Sequence, residues 1–356
     1  MLKGIGFNDQ LAVALEKLNL EDAQPGRIVW QSTYSYRVQC ENEEIAAEPT
    51  GKIKAADLPA VGDWVAVRQP STGEMGTILA ILPRKSAFSR QAAGRSVVEQ
   101  VVAANIDEVL IVTDLDQDFN LRRIERYITL VYNSGASPVV VLNKTDLATD
   151  VEAVVAQTEA VTPGIPVYAV SAEESCGMEV LKNHLGSGKT VAFLGSSGVG
   201  KSTIINRLLG EERLEVGKVR ETDGKGRHTT THRELVILPG CGAVIDTPGL
   251  REIQVWGDED GLAEAFPEID DLTGVCRFRD CRHGSEGGCA VREALDSDRL
   301  DQARFDSYMK LRAEFENLER RRSKHARMEE KRKGKRFAKM VREVNTFNPK
   351  RKNRDS

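Results

Sequence analysis

Hydrophobic and polar positions follow different patterns in different parts of the chain, and each pattern predicts its own kind of structure. Apolar residues have helical spacing over 7–19, so residues 1–24 are assigned to an N-terminal helical lead-in. Residues 25–97 are short runs rich in β-branched and aromatic residues, which glycine and proline separate at short intervals. This second pattern predicts a small all-β barrel. Five short strands favour an oligonucleotide-binding (OB)-like barrel, with an SH3-like barrel as the alternative.

Residues 98–254 alternate apolar strands with amphipathic helices. The stretch DEVLIVTDL predicts a buried strand, NLRRIERYITLVYNSG predicts a helix, and SPVVVLNKTD predicts the next strand. Further on, KTVAFLGSSGVGKSTIINRLLG predicts a strand, a tight turn and a helix, and RELVILPGCGAVIDTPGL predicts two strands around a turn. Alternation of this kind predicts an α/β domain with a mostly parallel, doubly wound sheet.

The rest of the chain predicts a third module and a tail. Residues 255–319 begin as a cysteine-bearing loop region and continue as helices. Residues 320–356 form a basic tail, whose end, from about residue 345, we expect to be disordered. A chain of 356 residues exceeds the length of one ordinary domain, which agrees with this division. The sequence therefore predicts a multidomain protein.

The α/β domain contains a complete phosphate-binding motif. Residues 195–202 fit the pattern G-x-x-x-x-G-K-[ST] at every position, after a predicted strand and before a predicted helix. Glycines allow backbone N–H groups to surround phosphates at a helix N-terminus, where the helix dipole favours anions. Lys201 can reach the β- and γ-phosphates, and the Ser202 hydroxyl can hold Mg²⁺. The predicted phosphate-binding residues are Gly195, Ser196, Ser197, Gly198, Val199, Gly200, Lys201, Ser202 and Thr203.

Later segments supply the remaining parts of a phosphate and magnesium site. Asp246 ends an apolar strand, from which its carboxylate can reach the Mg²⁺ shell through water, and the Gly249 N–H can bind the γ-phosphate. Between the two motifs lies VGKVRETDGKGRHTTTHREL, a polar loop with almost no apolar anchors. Its position predicts a switch loop whose threonines order on Mg²⁺ and γ-phosphate, with a simple surface loop as the alternative.

The tetrapeptide NKTD, residues 143–146, predicts that the base is guanine. The Asp146 carboxylate can accept hydrogen bonds from N1 and N2 of guanine, which adenine cannot match, and the Lys144 stem can pack on the base. The motif follows the apolar run PVVVL, and one predicted strand later the pair Ser171 and Ala172 resembles a second base-contacting loop. The predicted base-binding residues are Asn143, Lys144, Thr145, Asp146, Ser171 and Ala172.

These motifs occur in a rotated order, because the base loops precede the phosphate loop. In ordinary GTPases the N-K-x-D loop comes after the phosphate loop. All the parts of a GTPase are present here, so the order predicts a circular permutation. A permutation is tolerated because the termini of a domain usually lie close together at the surface.

Four residues within a short polar, glycine-rich stretch form a candidate metal site. These residues are Cys276, Cys281, His283 and Cys289. Three thiolates and one imidazole satisfy tetrahedral Zn²⁺, and four protein ligands leave no open position, so we expect one structural zinc ion. The remaining cysteines are expected to be ordinary packing residues: Cys40, Cys176 and Cys241.

Charge is distributed unevenly along the chain. The formal net charge is −4, but residues 320–356 contain 16 Lys and Arg against 4 Asp and Glu. The first 319 residues hold the other 34 basic and 50 acidic residues. A basic tail on an acidic body predicts a polyanionic partner, with a merely solvated helix as the alternative. Since signal-peptide features and long apolar runs are absent from the sequence, we expect a cytoplasmic protein without a membrane partner.

The motifs NKTD, GSSGVGKST, GRHTTT and DTPG, with the cysteine cluster, resemble the RsgA (YjeQ/YloQ) family of circularly permuted GTPases in bacterial ribosome maturation. The resemblance covers the barrel, the GTPase and the metal module, and is weaker for the first helix and the basic tail. It implies hydrolysis of GTP to GDP with Mg²⁺, stimulated by the small ribosomal subunit, and a late role in assembly of that subunit. The OB-like barrel and the basic tail on an acidic body favour contact with the rRNA backbone, and we expect a monomer.

Either a group outside the D-x-x-G motif orients the attacking water, or hydrolysis is slow. Many GTPases place a glutamine directly after this motif, but the position here is Leu250, which can neither donate nor accept a hydrogen bond. The resemblance points to His228 in the switch loop for this role and to Thr230 as a Mg²⁺ ligand. Two alternatives stay open for the chain: a GTPase that acts on another RNA partner, and an RNA-binding protein whose nucleotide site is structural.

Overall fold

A computed structural model describes residues 1–32, 35–54, 57–69, 75–91, 99–115, 118–210, 233–238, 242–246, 260–284 and 286–347. The strands are β1 (Ala23–Gln31), β2 (Tyr36–Gln39), β3 (Glu44–Pro49), β4 (Trp64–Arg68), β5 (Gly76–Ile81), β6 (Ala87–Gln91), β7 (Glu99–Ala104), β8 (Glu108–Asp114), β9 (Ser137–Asn143), β10 (Val167–Ala169), β11 (Thr190–Leu194), β12 (Arg233–Ile237) and β13 (Ala243–Asp246). The helices are α1 (Asp9–Glu16), α2 (Leu121–Asn133), α3 (Val151–Val161), α4 (Met178–Lys182), α5 (Lys201–Leu209), α6 (Asp260–Ala265), α7 (Pro267–Gly274), α8 (Ala290–Asp296) and α9 (Gln302–Phe347). Short 3-10 helices span Leu2–Ile5 and Thr145–Leu147.

The first five strands close into a barrel. Neighbours follow the order β1-β2-β3-β5-β4, and β4 pairs with β1 to complete the ring. The β3–β5 pair is parallel, and the other pairs are antiparallel. Side chains alternate between core and solvent, as in β3, where Ile45 and Ala47 are buried and their neighbours are exposed. A closed five-stranded order with one parallel pair is the OB topology, so the predicted OB-like barrel is confirmed.

The α/β domain contains the predicted parallel sheet. Its strands lie in the order β10-β9-β8-β11-β13-β12, and only the β12–β13 pair is antiparallel. Apolar residues of α2 and α3 pack on one face of this sheet, and those of α4 and α5 pack on the other. The strands that end in the base loops, β9 and β10, come before β11 in the chain, yet they belong to the same parallel sheet, in which β8 separates them from β11. The predicted circular permutation is therefore confirmed.

The barrel and the α/β domain share one sheet of 11 strands. β1 pairs with β12 in antiparallel register, with Trp30 opposite Glu234 and Gln31 opposite Arg233. β6 and β7 pair in antiparallel register as a separate two-stranded sheet, and the predicted domain boundary at residues 97–98 falls between these two strands in the sequence. Backbone pairing thus connects the barrel directly to the edge strand of the nucleotide-binding unit.

A buried arginine reinforces this junction. Arg27 in β1 is 1% exposed, and its guanidinium donates to the carbonyl of Gly62 at 3.3 Å and to that of Asn105 at 3.2 Å. It also donates to the Ile5 carbonyl and, at 2.7 Å, to the Thr190 hydroxyl at the start of β11. Burial lowers the Arg27 pKa to about 10, which still leaves the side chain charged at neutral pH. One side chain therefore joins the N-terminal segment, the barrel and the central strand.

The C-terminal helices pack against the α/β domain through a second buried arginine. Arg304 in α9 is 5% exposed and pairs with Glu125 of α2 at 3.0 Å and with Glu268 of α7. Its guanidinium also lies 4.6 Å from the centroid of the Phe266 ring and donates to the Val161 carbonyl at 2.9 Å. The helix α9 continues through residue 320, so the predicted boundary there marks a change of charge within one helix.

Within the residues that the structure describes, no helix combines the length and the apolar character that a membrane crossing requires.

Replacement of Arg27 tests its role at the junction. We expect Arg27→Met to lower the free energy of unfolding by about 3 kcal/mol, because the buried acceptors lose their donor. Urea unfolding followed by tryptophan fluorescence measures the change, since the Arg27 guanidinium lies 5.2 Å from the Trp64 ring. Arg68→Met is the matched control, because Arg68 is exposed and its bond to the Glu21 carbonyl is 3.4 Å long. Equal unfolding midpoints for Arg27→Met and the parent chain would contradict this role.

Candidate nucleotide-binding and metal sites

The predicted nucleotide motifs meet at one edge of the sheet. The parallel strands β8, β9, β11 and β13 end at Asp114, Asn143, Leu194 and Asp246. The carboxyl ends of parallel strands lie at the same edge, which is where open α/β sheets bind ligands. Strand direction therefore brings together the base loop after β9, the phosphate loop after β11 and the Asp246 backbone.

The phosphate loop wraps the ammonium group of its own lysine. Lys201 is 7% exposed, and its Nζ donates to the Gly195 carbonyl at 2.7 Å and to the Ser196 carbonyl. The helix α5 begins at Lys201, and its N-cap is Gly200, which has no side chain to occupy the first amide groups. These N–H groups can therefore bind an anion, with the lysine ammonium beside them.

Two glycines of the loop are required by close approach. A Cβ at Gly195, where φ is 150°, would lie 2.1 Å from the Val112 carbonyl oxygen. At Gly200, where φ is 95°, a Cβ would lie 2.2 Å from Nδ2 of Asn143. The second contact shows how tightly the phosphate loop packs on the base loop, because any side chain at Gly200 would push the two loops apart.

Asn143 holds three loops together. It is 2% exposed, its Nδ2 donates to the Val199 carbonyl at 2.8 Å, and its Oδ1 accepts from the Ala172 N–H at 3.1 Å. The Ser171 hydroxyl donates to Oδ1 of Asp146 at 2.5 Å, so the second base loop also orients the exposed carboxylate that is predicted to read guanine. The two base loops and the phosphate loop thus form one hydrogen-bonded unit.

The remaining loop residues are placed as follows. Ser197 and Gly198 are exposed at the tip of the phosphate loop, whereas Val199 is buried in the core. Ser202 and Thr203 lie half-buried in the first turn of α5. Lys144 has a left-handed backbone with φ of 63°, and the 3-10 helix that follows begins at Thr145.

The structure adds two residues that sequence analysis missed. Asp114 pairs with Lys144, with Oδ2 and Nζ 2.7 Å apart, and Arg123 donates to the Ser196 hydroxyl at 2.7 Å. Asp114 is the last residue of β8 and Arg123 lies in the first turn of α2, and residues 114–123 carry no recognised nucleotide motif. The sequence carries one signal for Asp114, because this residue ends the apolar run EVLIVT, and open α/β sheets bind ligands beyond the carboxyl ends of their strands.

Several predicted site residues lie outside the part of the chain that the structure describes. The switch-loop residues His228 and Thr230 and the residues Gly249 and Leu250 fall in undescribed segments. Asp246 is described only by its backbone, at the end of β13. Since β13 runs parallel to β11, Asp246 and Ser202 are on the same edge of the sheet, as a shared Mg²⁺ site requires.

The four predicted metal ligands converge. Their ligand atoms all lie within 4.8 Å of one another. The Cys276 and Cys289 sulfurs are 4.0 Å apart, and they lie 3.7 Å and 3.6 Å from Nδ1 of His283. A zinc tetrahedron with S and N ligands has edges of about 3.5–3.8 Å, given bonds of about 2.3 Å and 2.0–2.1 Å. The donor set and its spacing therefore fit one tetrahedral metal ion.

Local structure holds these ligands in place. His283 has a left-handed backbone with φ of 61°, and burial lowers the pKa of its imidazole, which favours the neutral form that binds metal. Cys289 is the N-cap of α8, and its sulfur accepts from the Arg292 N–H at 3.4 Å.

The other cysteines were predicted to be packing residues. Cys40 is buried in the barrel, as predicted, but Cys176 is exposed in the second base loop. Cys241 lies outside the described residues.

Metal analysis tests the cluster. We expect one zinc ion per parent chain and none in Cys281→Ala, because three ligands bind Zn²⁺ less tightly than four. Elemental analysis after exhaustive dialysis measures the content. Cys176→Ala is the control, since it removes an exposed cysteine that is not part of the cluster. Parent chain without bound metal, or full zinc in Cys281→Ala, would refute the assignment.

Comparison with known proteins places the chain in a family. The family model described as RsgA GTPase matches residues 81–256. A Small ribosomal subunit biogenesis GTPase RsgA from Opitutus terrae is 48% identical over 327 residues, which cover 88% of this chain and 89% of that protein. A protein of the same name from Syntrophotalea carbinolica is 42% identical over 346 residues, which cover 94% of this chain and 95% of that protein. The crystal structure of YjeQ from Thermotoga maritima matches with a TM-score of 0.63 and 28% identity, covering 82% of this chain and 98% of that one. Since the similarity spans nearly the whole chain, we conclude that this GTP hydrolase belongs to the RsgA GTPase family.

Proposed function

We propose that the chain binds the small ribosomal subunit, hydrolyses GTP to GDP and phosphate there, and assists a late step of subunit maturation. The main support is structural: a hydrogen bond from Asn143 joins the predicted guanine loop to the phosphate loop. The relatives of the chain are named small ribosomal subunit biogenesis GTPases. In this proposal the subunit stimulates hydrolysis, and the change from GTP to GDP promotes release of the chain.

Nucleotide binding is proposed to follow from the joined loops. Asp146 accepts from guanine N1 and N2, and the backbone of Ala172 and the stem of Lys144 border the base. Backbone N–H groups of the phosphate loop and Nζ of Lys201 bind the phosphates. The hydrogen bond from Ser171 supports this role, because it turns the Asp146 carboxylate into one fixed orientation before nucleotide binds.

Magnesium and water are proposed to be held by residues of the two later segments. Ser202 and Thr230 bind Mg²⁺ directly, Asp246 binds its water shell, and the Gly249 N–H contacts the γ-phosphate. Bound Mg²⁺ neutralises charge on the phosphates. Because Leu250 cannot orient water, we assign that role to His228, whose imidazole can hydrogen-bond to the attacking molecule.

Two basic surfaces support an RNA partner. On the metal module, Phe278 is 46% exposed, and the guanidinium of Arg277 lies 5.4 Å from its ring centroid. Arg279 and Arg282 are exposed next to it in the chain. Exposed aromatic and arginine side chains together are the groups on which unpaired RNA bases stack. Exposed basic residues of α9 add a second surface that would neutralise rRNA phosphates: Arg320, Arg321, Lys324, Arg327 and Lys331.

The metal is proposed to be a structural zinc ion that shapes the first of these surfaces. Four protein ligands leave no place for a substrate, so the ion would stabilise the loop that carries Phe278. Together with OB-barrel contacts, this surface would dock a cytoplasmic, monomeric chain on rRNA of the subunit.

Base choice is tested by Asp146→Asn. We expect at least about tenfold weaker GTP binding, because an amide cannot accept both guanine N–H bonds, and a gain in binding of xanthosine triphosphate. Competition against a fluorescent GDP analogue measures both affinities. Asp150→Asn is the control, because Asp150 only caps α3 and asparagine caps a helix equally well. Unchanged GTP affinity in Asp146→Asn would remove NKTD from base recognition.

Subunit binding is tested by sedimentation with purified small and large ribosomal subunits. We expect the parent chain to pellet with small subunits only, and more tightly with a non-hydrolysable GTP analogue than with GDP. A chain shortened to residues 1–319 should bind more weakly and with a flatter dependence on salt, because fewer counterions are released. Equal pelleting with both subunits, or with neither, would favour another RNA partner. An unchanged salt slope would mean that the tail is only solvated.

Water positioning is tested by His228→Ala. We expect the substitution to remove most of the subunit-stimulated hydrolysis, on the order of a hundredfold, while GTP affinity stays close to that of the parent chain. Single-turnover hydrolysis with saturating subunits separates the two effects. His232→Ala is a matched control, because it removes an imidazole four positions away in the same segment. Stimulated turnover that survives in His228→Ala would exclude this histidine from the mechanism.

A further inference from the structure

The carboxylate of Asp114 lies at the nucleotide edge of the sheet without belonging to a nucleotide motif. It ends β8 directly beside Asn143, its register partner in β9, and it is 5% exposed. Its Oδ2 is 2.7 Å from Nζ of Lys144, whose side chain is 30% exposed. The buried carboxylate of Asp114 therefore holds the ammonium group of Lys144, the lysine of the NKTD loop.

The loop after β8 fixes the direction of this carboxylate. Oδ1 of Asp114 accepts from the Asp118 N–H at 2.8 Å, and the Thr113 hydroxyl donates to the Asp118 carbonyl at 3.1 Å. The Leu115 N–H donates to the Asn143 carbonyl at 3.0 Å, which ties the loop to the end of β9. With one oxygen fixed in this way, the other points toward Lys144.

The same loop also reaches the phosphate side of the site. Asp118 pairs with Arg123, and Arg123 donates to the Ser196 hydroxyl at 2.7 Å. The bonds therefore run without a break from Lys144 through Asp114, Asp118 and Arg123 to the phosphate loop. This connection joins the base loop to the phosphate loop, between which a nucleotide has to lie.

A lysine stem that packs on a base needs to be held in one conformation. A free lysine side chain has about 2 kcal/mol of rotamer entropy, which binding would otherwise have to remove. Without Asp114 the ammonium could also turn toward the exposed carboxylate of Asp146, two positions away, and compete with guanine for it. An ion pair with a fixed, buried partner prevents both losses before nucleotide arrives.

We propose that Asp114 is a positioning residue for guanine nucleotides, which acts by holding Lys144 along the face of the base. The proposal rests on the guanine site proposed above. Since the base is common to GTP and GDP, loss of Asp114 weakens both to the same degree. In hydrolysis it raises KM and leaves kcat unchanged, as expected for an interaction made equally in ground and transition states.

A double-mutant cycle on the intact chain tests the proposal. Asp114→Asn keeps the shape of the side chain and removes its charge, while Lys144→Met keeps the stem and removes the ammonium. We expect each single variant to bind a fluorescent GDP analogue about tenfold more weakly, and the double variant to bind no more weakly than either. Glu179→Gln is the matched control, because it breaks a lysine–carboxylate pair of 2.9 Å on the surface of α4. Asp114→Ser provides a second neutral variant if Asp114→Asn does not fold.

Three results would overturn the proposal: parent-like GDP affinity in Asp114→Asn, losses that multiply in the double variant, or unequal losses for GDP and a non-hydrolysable GTP analogue. A lowered urea midpoint with unchanged GDP affinity would assign the pair to stability alone and would likewise overturn it. All of these measurements use the chain without ribosomal subunits, so their outcome is independent of the partner proposed above. Failure of the guanine site itself would show separately, as unchanged GTP affinity in Asp146→Asn.

Discussion

The position of the barrel on the α/β domain depends on a buried charge, the guanidinium of Arg27. Its donors reach acceptors in the N-terminal segment, the barrel, the residue after β7 and the first residue of β11. Removing a cation from water is costly, and this cost is offset only by well-placed hydrogen bonds in a fixed geometry, of which the guanidinium makes four. Arg27 therefore requires the barrel to sit in one orientation on the strand that carries the phosphate loop at its other end. Arg304 imposes the same requirement on the C-terminal helices through Glu125 and Glu268.

This arrangement makes the nucleotide site part of a rigid framework. Asn143 joins the base loops to the phosphate loop, and the sheet beneath them continues through β12 into the barrel. At its start, the helix α2 contacts the phosphate loop through Arg123. Further along, Glu125 pairs with Arg304, and Arg126 lies 2.8 Å from Glu314, so the same helix contacts the C-terminal helices. The barrel and the C-terminal helices, which we propose to face RNA, are thus connected to the nucleotide site by direct bonds. Hydrogen-bond and ion-pair networks of this kind are one of the means by which distant sites in a protein are coupled.

The parts that the sequence predicted are those encoded locally. The phosphate loop, NKTD and the cysteine cluster each lie within a few residues, and their chemistry is visible from residue type and spacing. Arg27 and Thr190 are 163 positions apart, and Arg304 and Glu125 are 179 apart, so no pattern in the sequence could pair them. Asp114 could not be identified from the sequence for a related reason. Its contact with Lys144 depends on β8 lying next to β9, and only the structure shows this order. Cys176 was assigned to packing because a lone cysteine is usually buried, but it lies in an exposed loop.

We propose that the GTPase site and the surfaces proposed to face RNA serve one reaction on the small ribosomal subunit. The decisive experiment measures the rate of multiple-turnover GTP hydrolysis with and without purified small subunits. We expect slow hydrolysis by the chain alone and an increase of at least about tenfold with small subunits, but no increase with large subunits. The same rate in the presence and absence of small subunits would contradict it.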